Sequence, residues 1–216
     1  MCSKDGDVID TRPGSGFDVD GCVKAWNAVK PNHTLLPAKE FIEAALAITA
    51  IFDTMSGMKM VKDDIVGNAA KIKKNMTGAK HETLQGMVEK ELEAAGGDVK
   101  TATKEGSTAL ALLWLKRALM LIEGMLRTLL NTESMPLSAC VQVGYDLGLK
   151  MHHNFVMKGT FAVAVKAAPD RTKFMAQLAI GSTPEAVMAG LAKVNAKLTI
   201  TVGSIDTFLK DKKIEV

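Results

Sequence analysis

Apolar residues recur along this chain at the three- and four-residue spacing of helices, and rarely at the two-residue spacing of strands. After Pro37, which stands where a first helical turn begins, Phe41, Ala44, Ala45, Ile48, Ile51 and Phe52 form a wide apolar face. Over 61–75, Val61, Ile65, Ala69 and Ile72 mark one face of a second helix. A third is expected over 81–95, with Leu84, Met87, Val88, Glu91 and Leu92 on one side and Gly96-Gly97 as its stop. The segment 108–130 is apolar nearly all round, the pattern of a central helix packed on both sides. A long apolar region follows from 137 to Pro169, then a short helix over 170–180 closed by Gly181. Thr183-Pro184-Glu185 supplies a cap, a first-turn proline and an acid for a last helix running to 209. The stretches FAVAV (161–165) and LTITV (198–202) alternate like strands, but each is embedded in helical pattern without a hairpin signal, so both are expected to be helical.

Composition narrows this all-α reading. At 216 residues the chain suits one domain with a sizeable core, expected over 21–216 behind a disordered lead-in over 1–20. Its residues are 47% hydrophobic but only 5% aromatic, with 13 Met, so packing rests on aliphatic and adaptable thioether side chains. A net charge of +3 is too small and dispersed for nucleic acid and fits weak attraction to an anionic membrane surface. Cys2, Cys22 and Cys140 are odd in number and widely spaced, which reads as reduced thiols in a cytoplasmic protein without disulfides. The N-terminal sequence has no apolar core of signal-peptide type, and the longest apolar run, 109–115, stops at Lys116-Arg117, too short to span a bilayer.

The candidate chemistry starts on the helix 61–75. At about 100° per residue, Asp64, Asn68 and Lys71 share a stripe beside the apolar face, lining up a carboxylate, an amide and an ammonium over two turns. Such a row suits a ligand with several hydroxyls, and it equally suits a plain solvated helix border. Trp114 lies in the middle of the central helix, either as a core residue or as an exposed plate. In the pair His152-His153 the two side chains diverge, so at most one faces any given site. Neither HxxxH nor HxxE is present, which argues against a metal centre.

Four stretches, DDIVGNAAKIK, TALALLWLKRAL, LKMHHNF and FAVAVKAAP, resemble the glycolipid transfer protein family in order and separation, over roughly Pro37 to the C-terminus. The resemblance implies a two-layer helical sandwich of about eight helices that carries one glycosphingolipid between membranes, as a monomer and without a cofactor. It implies that Asp64, Asn68 and Lys71 hydrogen-bond the sugar, that Trp114 stacks on its ring, and that His153 meets the ceramide amide together with Asp64. The hydrocarbon tails would enter an apolar tunnel, for which Phe41, Ala45, Ile48, Phe52, Leu110, Phe161, Val165 and Phe174 are the candidates. Phe155, with Lys150 and Lys158, would touch the membrane. The chain departs from the family pattern in three places. Phe155 stands where a tryptophan often meets the membrane, Ile214 where some members place a tyrosine over the sugar, and His152 where a tyrosine is common.

Three other readings remain open. In a ceramide-1-phosphate carrier of the same superfamily, two or three cations would converge on phosphate. Trp114 occupies the place of one, while Lys71 and Arg117 keep the possibility. A hydrolase using Asp64 and His153 as an acid–base pair would need a nucleophile or a metal that the sequence does not offer. A glycolipid sensor or adaptor would need the same pocket as a carrier.

Overall fold

The computed structural model describes residues 16–31, 35–79 and 82–215. Apart from one isolated bridge between Pro37 and Thr83, the described residues form helices and their connections. In order these are α1 Val19–Ala28, α2 Ala38–Ile48, α3 Lys59–Asn75, α4 Leu84–Ala94, α5 Val99–Ala102, α6 Thr108–Asn131, α7 Leu137–Gly148, α8 Phe155–Lys166, α9 Arg171–Leu178 and α10 Pro184–Asp211. Short 3₁₀ turns at Thr49–Thr54, Ser56–Met58 and Lys150–His152 link some of them. Ten α-helices thus stand where about eight are expected. The difference lies in short elements cut out by punctuation. Gly96 and Gly97, at φ +63° and +83°, stop α4, and the Asp98 carboxylate then accepts from Thr101 N at 2.9 Å to start the single-turn α5. The apolar region expected from 137 to Pro169 is divided after Gly148 into α7 and α8, where Asn154 caps α8 by accepting from Met157 N at 2.9 Å.

Helix α1 begins at Val19, capped by Asp18, and Phe17 is buried, so helix and core include residues ahead of Gly21, where the domain is expected to begin. Cys2 and His81 lie outside the described residues, and the helix expected from 81 starts at Leu84. Both strand-like stretches are helical, within α8 and α10, because their buried residues recur at helical spacing: Phe161 with Ala164 and Val165, and Leu198 with Thr201 and Val202. Cys22 and Cys140 are free buried thiols, and burial pushes the Cys22 thiol up to about 12, which leaves it protonated and inert.

Helix α6 is the hub, packed by α3, α4, α7 and α10. Its side chains are buried around most of the circumference, from Leu112 and Leu115 to Leu119, Ile122 and Leu126. Both ends are satisfied by side chains from elsewhere in the chain. The Glu91 carboxylate of α4 accepts from Thr108 N at 2.7 Å and Ala109 N at 2.8 Å. Arg171 donates to the carbonyls of Leu129 at 2.6 Å, Thr132 at 3.1 Å and Met135 at 3.3 Å. An acid at the N-terminus and a cation at the C-terminus complement the helix dipole, each worth about 0.3–2 kcal/mol. This explains the acid on the otherwise apolar side of α4.

The approach of α7 to α6 is set by glycine. A Cβ on Gly144 would stand 2.2 Å from Leu121 O, and one on Gly148 would stand 2.4 Å from Arg117 O. Only hydrogen at these positions lets the two backbones come so close. On the other side α1, α2, α3, α6 and α10 form a closed ring of packed neighbours, with α1 against both α2 and α10. The consequence for the site is direct. The α6–α7 contact delivers the chain after Gly148, with its two histidines, onto the same part of α6 that carries Trp114 and Arg117.

Candidate functional site

Asp64, Asn68 and Lys71 lie on one stripe of α3, a helix that packs on α6. The buried Asn68 amide donates to Asp64 Oδ1 and to Asp64 O, each at 3.0 Å, so it locks the carboxylate while its own carbonyl stays available. Asp64 is exposed at the surface, yet the protein around it removes enough water to raise its pKa above the ordinary carboxylate value. The hydrogen bond from Asn68 and the charge of Lys71 oppose that rise without cancelling it. Lys71 is half-exposed and ion-paired with Glu105, in the loop before α6, at 2.8 Å.

Trp114 on α6 is half-buried, so its indole is neither a sealed core residue nor a free surface plate. The Arg117 guanidinium lies 4.9 Å from the ring centroid, and His152 meets the ring edge-on with centroids 6.4 Å apart. His153 turns the other way. Its Nδ1 is 3.2 Å from the Tyr145 hydroxyl, and the Tyr145 ring stacks on Phe161 with centroids 3.8 Å apart and planes within 9°. Thus His153, Tyr145 and Phe161 form a continuous aromatic set from the polar side into the core. Burial lowers the pKa of both histidines below the ordinary value, with Arg117 adding to the effect at His152 and Lys158 at His153.

Among the tunnel candidates, Phe41, Ala45, Ile48, Phe52, Phe161, Val165 and Phe174 are buried in one continuous core, whereas Leu110 is only partly covered at its edge. Apolar side chains reach solvent around the start of α8. Phe155 is 90% exposed, and Met151, Val156 and Val163 beside it are also exposed. Lys158 is exposed, and Lys150 is paired with Asp146 at 2.9 Å. No group of three or more His, Cys, Asp or Glu among the described residues could hold a metal ion. No helix among them is long and apolar enough to cross a membrane.

Sequence reasoning missed a charged cluster beneath Trp114. Lys116 is fully buried, and its Nζ donates to Asp206 of α10 at 3.0 Å and to Glu215. Glu215 also receives Arg117 Nε at 3.2 Å, and His152 Nε2 lies 3.7 Å away. The signal available beforehand was Lys116-Arg117 inside an apolar helix, since a buried lysine demands a carboxylate. Which of the 24 acids would supply it depended on how α10 and the turn after it pack on α6.

Residues 36–180 match the family model for Glycolipid transfer protein (GLTP). The Glycolipid transfer protein of Aureobasidium melanogenum is 29% identical over 202 residues, covering 92% of each chain. The Pleckstrin homology domain-containing family A member 8 of Mus musculus is 33% identical over 165 residues, which are 73% of this chain and 31% of that protein, so the chain spans about a third of that relative's length. The solved structure of FAPP2, described as selecting simple glycosphingolipids using the GLTP-fold, superposes with a TM-score of 0.76 at 24% identity, covering 88% of this chain and 93% of that one. The mouse ceramide-1-phosphate transfer protein superposes with a TM-score of 0.80 at 15% identity, covering 93% and 100%. The helices are therefore arranged as the two-layer sandwich of this fold, and the chain belongs to the glycolipid transfer protein family.

Proposed function

We propose that this protein is a non-enzymatic carrier that moves one glycosphingolipid at a time between membranes, acting as a monomer in the cytoplasm. The observation that carries the reading is the polar row Asp64–Asn68–Lys71 on α3, with a half-buried tryptophan on the helix packed against it. A pyranose presents a C–H face that suits an indole plate and a rim of hydroxyls that need directional partners. Asp64 accepts, Asn68 has a carbonyl to offer, and Lys71 donates. Toward ceramide, Asp64 and His153 would complement its amide N–H and hydroxyls. The aromatic set behind His153 leads to the buried side chains of Phe41, Ala45, Ile48, Phe52, Val165 and Phe174, with Leu110 at the edge, among which the tails would insert. Burying each methylene of those tails contributes about 0.8 kcal/mol, so the tails supply affinity and the row supplies choice.

Docking on the membrane would use Phe155 and the exposed apolar residues around it, assisted by Lys150 and Lys158. Each well-placed cation adds about 1 kcal/mol on an anionic leaflet.

A second reading, transfer of ceramide-1-phosphate, draws on the cations Lys71, Lys116 and Arg117 around the same site. Against it, Lys71 already has a carboxylate partner, Glu105, at 2.8 Å. The deciding experiment compares transfer of fluorescent galactosylceramide and fluorescent ceramide-1-phosphate between vesicles, with native mass spectrometry identifying the lipid that co-purifies. Faster transfer and retention of the glycosylated lipid is the expected result. Preference for the phosphorylated lipid would replace this reading with the second.

A further inference from the structure

The end of α10 does not run off into solvent. After the C-cap Lys212, Lys213 takes φ +56° and turns the chain back, with Lys213 N bonding Lys210 O at 2.9 Å and Ile214 N bonding Leu209 O at 2.9 Å. Left-handed backbone at a lysine is disfavoured and persists where the surroundings reward it. Here Ile214 becomes buried and Glu215 is placed against α6, where its carboxylate meets Lys116, Arg117 and His152. Burial alone would raise the pKa of Glu215, but Lys116 and Arg117 override it and hold the carboxyl below its ordinary value, so it remains ionised at neutral pH.

The two carboxylates of this cluster have different duties. Asp206 serves the buried Lys116 at 3.0 Å and Lys210 at 2.8 Å, and neither pair involves Trp114. Glu215 is the carboxylate that pairs with Arg117 among the described residues, and Arg117 is the cation lying over the Trp114 ring. We infer that Glu215 is a specificity-determining residue. By neutralising Arg117 beside the Trp114 plate, it makes the headgroup site select uncharged sugars over sulfated or phosphorylated ones.

This inference rests on the headgroup reading of Trp114 given above. The physical reason is desolvation. The Arg117 side chain is only 12% exposed, and a guanidinium so covered needs an anion at hand. While Glu215 supplies it, a second anion brought by a lipid would find the cation satisfied and would be repelled by the carboxylate. Without Glu215, a sulfate on the sugar becomes the available partner, in a charge-assisted contact of the kind arginine favours.

The test uses the full chain and two lipids that share ceramide and sugar and differ by one charge, galactosylceramide and sulfated galactosylceramide. The ratio of sulfated to neutral transfer is measured between vesicles for the parent and for Glu215→Gln. The substitution keeps size and removes the charge. The ratio is expected to rise roughly tenfold through a gain in sulfated transfer, and the gain should shrink at high salt. Asp206→Asn, which removes a carboxylate that does not touch Arg117, should leave the ratio within about twofold. If Glu215→Gln melts below the assay temperature because Lys116 has lost a partner, the double variant Glu215→Gln/Lys116→Met removes the stranded buried charge and should show the same rise. An unchanged ratio in the folded single or double variant, or an equal rise in Asp206→Asn, overturns the assignment of Glu215 while leaving the carrier reading in place. Absence of galactosylceramide transfer by the parent protein overturns both.

Discussion

Replacing Asp64 by valine separates headgroup recognition from stability more cleanly than any other change in the row. On the stability side the structure predicts little loss. The substitution removes one of the two hydrogen bonds donated by Asn68 but keeps the other, to the backbone carbonyl of residue 64 at 3.0 Å. Losing a bond to a carboxylate as exposed as this one costs about 1.5 kcal/mol, the low end of the range for charged acceptors. Against that stands the raised pKa of Asp64. A carboxyl whose folded pKa lies above its unfolded one favours folding at low pH and loses that contribution as pH rises through the folded value. At neutral pH the ionised group is therefore a net burden, and its removal offsets part of the lost hydrogen bond. The net change should stay within about 1 kcal/mol, with helical circular dichroism intact. Binding should behave otherwise. Asp64 is proposed to accept from both the sugar and the ceramide amide, and two hydrogen bonds to a charged acceptor at about 1.5–3 kcal/mol each amount to a loss of at least about a hundredfold. Transfer of fluorescent galactosylceramide and thermal unfolding, read on the same preparation, test both halves. Transfer within about threefold of the parent by a folded variant would refute the recognition role. A stability loss of several kcal/mol would show that the carboxylate is structural.

Three further expectations concern the surroundings of the row. Trp114→Ala should lose most transfer while costing less stability than the about 3–5 kcal/mol of a fully buried tryptophan, and parent emission should change with galactosylceramide vesicles in a Trp26→Phe background. A full core penalty with no ligand-dependent emission would return Trp114 to the core. Phe155→Ala should weaken binding to anionic vesicles about tenfold or more, given the area such a side chain buries, while leaving melting unchanged; a drop in melting temperature would make Phe155 a packing residue. Gly148→Ala should destabilise by about 1–3 kcal/mol or more, since its Cβ would meet the backbone of α6, and transfer should fall because His152 and Trp114 move apart. Wild-type melting for that variant would show that the α6–α7 contact yields easily.

The helices themselves were legible because each buries one face, and burial at 3.6-residue spacing leaves its mark in local sequence. The Val61–Ile72 stripe on α3, the all-round apolar α6 and the Thr183-Pro184 start of α10 are all present as read. So is the shared face of Asp64, Asn68 and Lys71, a matter of angular spacing within one element. The one-turn α5 and the early start of α1 were not legible, because short helices are stabilised by caps and tertiary contacts more than by a periodic pattern. Nor could local sequence say that Glu91 and Arg171 would close the two ends of α6, or that His153 would face Tyr145 while its neighbour faced Trp114. Above all, the partnership of Lys116 and Arg117 with Glu215 joins residues about a hundred positions apart, through a left-handed turn at Lys213. A charged pair inside an apolar helix announces that a counter-ion must exist. Only the packing of α10 on α6 decides which carboxylate arrives, because electrostatic pairing depends on distance in space and leaves no periodic trace along the chain.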